Sequence, residues 1–188
     1  MARRDGPGSR RSPLRRPRPR VLVVCGTRQT ESQYFTGLRA SLASPAVNVR
    51  VTAHAKAPAQ VVEQARHYTD RSAVDFDEVW CVVDADEFDI DSAARLARST
   101  GIELAVSYPC FELWLLLHHQ DCRAHFARCG DVAERLRKHL PRYDKADLRF
   151  IDFAGGVALA VERAKMLDPE RNPSAGVWRL VERMVAQQ

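Results

Sequence analysis

From residue 21 onward, short apolar runs alternate with stretches whose apolar positions recur every three or four residues. VLVVC is followed by ESQYFTGLRASLA, VNVRVTA by AQVVEQARHY, EVWCVVD by IDSAARLARS, and IELAVS by FELWLLLHH. The first kind of run has the length and β-branched content of buried strands, and the second has the period of helices. Connections are short and no Asn-Gly hairpin signal separates the runs, so the pattern predicts an α/β fold with a parallel sheet sandwiched by helices. Pro58 suits the first turn of the second helix, Asp89 or Asp91 the cap of the third, and Gly101 its stop.

From about residue 121 the pattern becomes helical and more polar. RAHFARCGDVAERLRKHL, GGVALAVERAKMLD and AGVWRLVERMVA are separated by breaks at PRYDKADLRF and PERNPS. This predicts a C-terminal helical extension packed on the sheet, within one domain spanning 21–188. Trp114 and Trp178 fall at helical apolar spacing and read as core or partner packing. Trp178, Leu180 and Val185 would give the last helix an apolar face for a homodimer or another partner.

Composition changes this picture in one place. The chain has a formal charge of +5, but residues 1–20 hold eight arginines against one aspartate, leaving 21 basic and 23 acidic groups in residues 21–188. The basicity belongs to a proline-rich tail with little to bury, which is not expected to fold alone. Arg15, Arg16, Arg18 and Arg20 could hold phosphate backbones by releasing counterions, or grip an acidic partner. Apolar runs shorter than about 20 residues predict no membrane span, and the Arg-rich start lacks the apolar segment of a secretory signal. Five cysteines, none in a CxxC pair, suggest a reduced cytoplasmic protein without a disulfide framework.

The candidate chemistry is acidic. Asp84 and Asp86 follow the strand EVWCVV and so fall at the carboxyl edge of a parallel sheet, where ligands collect. Carboxylates about 7 Å apart on extended chain repel one another unless a cation intervenes. A hard divalent ion such as Mg2+ or Mn2+ would serve, and could act on a phosphoryl group. The bland alternative is that these acids only complement the positive N-terminus of the next helix. Lys56 and Lys145 lie in predicted loops that could reach phosphate at the same edge, although surface solvation explains them equally. His118, Cys122, His125 and Cys129 are zinc-type residues, but their spacing lays them along a helix as a core stripe. No Ser-His-Asp grouping, phosphate-binding GxxxxGK[ST] loop or GxGxxG is present.

The order VVCGTRQTESQYF, DADE, SYPCFELWLLLH, RYDK and NPSAGVWRLVERM resembles the RloB family, over about residues 20–186. The resemblance implies a Toprim-like fold and a metal-dependent nuclease in prokaryotic antiviral defence, acting on DNA or RNA beside an ABC-type ATPase. It implies Asp84, Asp86 and Glu112 as metal ligands, with Glu31 or Glu112 as further catalytic carboxylate. The family pattern C-E-G-x-x-T-E becomes Cys25-Gly26-Thr27-Arg28-Gln29-Thr30-Glu31, so Gly26 stands where a glutamate belongs. Tyr108 likewise replaces the asparagine of S-N-P-C-F-E. Either another carboxylate has taken over, or the protein is a catalytically inactive scaffold that binds nucleic acid or the ATPase. Thr27 and Arg28 open a third reading, since a glycine-containing turn at a helix start can hold phosphate without cutting it.

Overall fold

The computed structural model describes residues 19–26, 29–42, 47–51, 57–85 and 89–186. Four parallel strands form first: β1 (Val21–Cys25), β2 (Val47–Val51), β3 (Glu78–Asp84) and β4 (Glu103–Tyr108). The helices between them are α1 (Thr30–Ser41), α2 (Pro58–Arg71) and α3 (Ile90–Thr100). After β4 come α4 (Glu112–Leu117), α5 (Cys129–Arg137), α6 (Ile151–Ala154), α7 (Val157–Lys165), the short strand β5 (Ser174–Ala175) and α8 (Val177–Val185). The sheet order is β2-β1-β3-β4-β5.

Both sheet faces are covered, which is why the strands read as continuous apolar runs rather than alternating ones. Val21, Val23, Cys25, Trp80 and Val82 face a core closed by α1, α4, α5, α7 and α8. Leu22, Val24, Cys81 and Val83 face a smaller core closed by α2 and α3. The chain therefore leaves β1 toward one face and β3 toward the other. A crevice opens between the carboxyl ends of two adjacent strands where that reversal occurs.

Local signals act as their chemistry requires. Pro58 occupies the first turn of α2, where no amide hydrogen is needed, and the Gln60 side chain accepts from the Ala57 amide at 3.2 Å. Asp89 caps α3 by accepting from the Asp91 amide at 2.9 Å. Gly101 ends that helix at φ +68°, a conformation costly for any residue with a Cβ.

Three expectations are corrected. The C-terminal extension is not only helical: β5 pairs antiparallel with β4, setting Ala175 opposite Ser107 and Ser174 opposite Tyr108. Two-residue strands are too short to leave a period in the sequence. The helix begun at FELW stops at Leu117, and turns follow, so His118, Cys122, His125 and Cys129 share no helical stripe. His118 is buried with its Nε2 3.2 Å from the Tyr34 hydroxyl, Cys122 is buried, His125 is exposed, and Cys129 opens α5. Burial pushes the His118 imidazole down to about 3, so it packs as a neutral ring. Finally, Leu180 is wholly buried within the protein, so this residue of the α8 face is not open to a partner. Trp178 packs partly against the same core, with Lys165 over its ring, while Val185 stays exposed.

Candidate functional site: a carboxylate cluster at the sheet edge

Asp84 is the last residue of β3 and stands in register with Ser107 of β4. Among the described residues its Oδ1 is buried without a hydrogen-bond partner, and so is the Ser107 hydroxyl. Two orphaned polar atoms side by side are unusual, because buried polar groups are almost always paired.

The neighbours of Asp84 are also acidic. Glu31 lies in the first turn of α1 and is 5% exposed; Glu112 opens α4 and is 2% exposed. Aromatic packing fixes both helix ends. Tyr34, one turn beyond Glu31, meets Phe111 and Trp114, which flank Glu112, in edge-to-face contacts at 5.6 and 6.1 Å. The Asp84 carboxyl is held well above its ordinary range, first by burial and then by the charges of Glu31 and Glu112. The Phe111 amide and Lys145 oppose that shift without cancelling it.

Among the described residues, Lys145 brings positive charge to the cluster. Its Nζ lies 2.5 Å from Glu112 Oε1, to which the Tyr143 hydroxyl donates at 3.3 Å. Burial and the Glu112 charge raise the Tyr143 phenol, which therefore stays a donor. Gln33 of α1 holds the following segment. Its Nε2 donates to the Ala146 carbonyl at 2.8 Å, and its Oε1 accepts from the Leu148 amide at 2.5 Å. The loop carrying Lys145 is thus tied to the helix carrying Glu31.

On the other side of Glu112, the expectation of no disulfide is overturned. Cys110 and Cys129 are bonded, with S–S 2.17 Å and Cα atoms 5.7 Å apart. Cys110 precedes Phe111 in the turn after β4, and Cys129 starts α5, so the bond closes the 118–128 turns onto the site. The other three cysteines, Cys25, Cys81 and Cys122, are buried. Cys129 Sγ also lies 3.0 Å from Glu112 Oε2.

Among the sequence candidates, Asp84, Glu31, Glu112 and Lys145 come together. Arg20 does not: it precedes β1, where its amide donates to Asp77 at the opposite end of the sheet. Asp86, Arg28, Lys56, Arg15, Arg16, Arg18 and Thr27 lie outside the described residues. Sequence reasoning missed Tyr143, Gln33, Cys110 and Cys129 as site residues. Tyr143 had one signal, its position two residues before Lys145.

Gly26 follows β1 with its Cβ direction toward α2. A Cβ there would meet Val61 Cγ2 at 3.3 Å, in the smaller core, whereas Glu31 and Glu112 reach Asp84 from the α1 and α4 side. The chain thus gathers its carboxylates without using that position.

The arrangement fits a hard divalent cation. Among the described residues, an orphaned carboxylate oxygen, a buried hydroxyl and mutually repelling carboxylates beside Lys145 call for additional positive charge. Asp84, Glu31 and Glu112 are the residues that would hold such an ion after side-chain rotation, since their oxygens do not all lie within 4.8 Å of one another. A groove of about 1140 Å3 lined by Leu38, Trp80, Phe150, Val157, Lys165 and Glu182 contains none of these acids and plays no part in the cluster. No described helix is long and apolar enough to cross a membrane.

No curated protein and no solved structure matches the chain. The RloB-like protein family matches residues 21–184, which takes in every strand and nearly all of α8 as well as each residue of the cluster. The chain belongs to the RloB-like family.

Proposed function

We propose that this RloB-like protein is a divalent-metal-dependent nuclease with a Toprim-like fold. The observation that carries the reading is Asp84, half-buried at a sheet edge, with a buried oxygen unpartnered among the described residues and two further acids beside it. Bound Mg2+ or Mn2+ would neutralise charge on a phosphoryl group and activate water. Asp84 and Glu112 would hold the ion, with Glu31 as the carboxylate that replaces the one missing at Gly26. Lys145 holds Glu112 in place, and its half-exposed ammonium also offers a cation to a phosphate at the mouth of the site. Family membership supports extending this to DNA or RNA as substrate, to antiviral defence and to an ABC-type ATPase as partner.

Gly26 favours a second reading, a Toprim-like scaffold that binds nucleic acid or the ATPase without cutting. Calorimetric titration of Mn2+ into chelator-treated protein, beside Asp84→Ala, separates the two. Saturable binding that the variant loses, followed by Mn2+-dependent cleavage of single- or double-stranded DNA or RNA, is expected. A folded protein that binds no Mn2+ would leave the scaffold. Cleavage that appears only after Gly26→Glu would do the same.

A further inference from the structure

The Cys110–Cys129 bond lies against a carboxylate that has little use for it. Glu112 is 98% removed from solvent, and its two oxygens meet different surroundings. Oε1 receives Lys145 and Tyr143. Oε2 faces Cys129 Sγ at 3.0 Å, and a disulfide sulfur carries no proton to donate. Among the described residues, no other donor reaches Oε2. A buried anionic oxygen aimed at two sulfurs is poorly satisfied while they are bonded to each other.

Opening the bond changes what the three groups can do. One ligand atom each from Cys110, Glu112 and Cys129 lies within 4.8 Å of the others, the only such trio of His, Cys, Asp or Glu among the described residues. A tetrahedral zinc site needs sulfurs about 2.3 Å and an oxygen about 2.0 Å from the ion, which places its ligand atoms roughly 3.5–3.8 Å apart. Separated thiols would reach that spacing by small side-chain rotations. Charge also balances: two thiolates and a carboxylate carry three negative charges, matched by a divalent ion and the Lys145 ammonium, 3.6 Å from Cys129 Sγ. Lys145 and Tyr143, on the oxygen turned away from the sulfurs, would orient the carboxylate as outer partners do in metal centres.

We propose that Cys110, Cys129 and Glu112 bind a thiophilic divalent cation, Zn2+, when the disulfide is reduced. A dithiol or phosphine reductant supplies the two electrons that break the S–S bond, and each sulfur takes a proton. Zn2+ then displaces both thiol protons. The site shares Glu112 with the nuclease reading but uses sulfurs that reading does not need.

Cobalt reports on the sulfurs directly, because thiolate-to-Co2+ charge transfer absorbs in the near ultraviolet. Full-length protein, reduced with a phosphine and checked by circular dichroism, is titrated with Co2+ and then Zn2+. The expected result is about one equivalent of Co2+ with a thiolate band, displaced by Zn2+ and absent from the oxidised protein. Cys110→Ser and Cys129→Ser should each lose the two-thiolate band, and Glu112→Gln should weaken Zn2+ binding more than about tenfold. Asp84→Asn should keep the band while losing Mn2+ binding, which separates this site from the proposed nuclease centre. A folded, reduced protein without the band overturns the proposal, as does a band that either serine variant retains in full.

Discussion

Strand β3 begins with one carboxylate and ends with another, and the two live in opposite electrostatic settings. Glu78, at the amino end, accepts from Arg183 Nε at 2.6 Å and Trp80 Nε1 at 3.3 Å, and the Arg183 hydrogen bond holds its carboxyl below the ordinary range. Asp84, six residues on, faces Glu31 and Glu112 with one oxygen unpartnered, and is pushed the other way. The residue class and the strand are the same. Glu78 is surrounded by donors, as a structural carboxylate is, whereas Asp84 is surrounded by acids that nothing in the fold requires. The amino end of the sheet is built for stability, and the carboxyl end is built at the expense of stability.

Three substitutions would sharpen or break that contrast. The largest effect is expected from Lys145→Met, which removes from buried Glu112 its ion-pair partner among the described residues. A loss of about 2 kcal/mol in urea unfolding follows, less than for a wholly buried pair because Lys145 is 45% exposed on its own side. A loss below a few tenths would mean that Lys145 does not compensate the cluster.

Asp84→Asn should act in the opposite direction in metal-free protein. A carboxyl whose folded pKa is raised contributes stability that is complete below the unfolded value and is lost as pH rises through the folded one. The variant should therefore match the parent near pH 4 and exceed it increasingly toward neutral pH. Parallel melting curves of the two proteins across pH would contradict the assignment.

The smallest change is expected from Arg183→Met. Its pair with Glu78 is partly exposed, worth about 0.5 kcal/mol, and screened by salt. Because the Glu78 carboxyl is depressed, this contribution is present above the ordinary carboxylate range and lost as pH falls through the folded value. The variant should thus fall behind the parent as pH rises, where Asp84→Asn pulls ahead. A shift of the same sign in both would erase the distinction between the two ends.

The sequence made one half of this contrast visible. Alternation of apolar runs with helical periods located the first four strands, and a strand ending in Asp84 placed that residue at the correct edge. Glu31 and Glu112 came from the family resemblance, because nothing in local periodicity says that two helix starts will converge. The Cys110–Cys129 bond was illegible for a different reason. Pairing depends on where the turns after Leu117 carry the chain, and those turns have no period. The same turns undid the helical stripe from His118 to Cys129. β5 escaped notice because two residues are too few to show alternation, and Arg183 because a partner across the sheet leaves no mark on its neighbours in sequence.

Gln33 holds the Ala146–Leu148 segment with both ends of its amide, while Lys145 at the head of that segment compensates Glu112. The cluster therefore draws on α1, β3, α4 and a loop that follows all three in the chain. During translation, the acids of the first two-thirds emerge before their lysine, and packing them together in its absence is unfavourable. Closure of the site is therefore expected to wait on docking of the segment that carries Lys145.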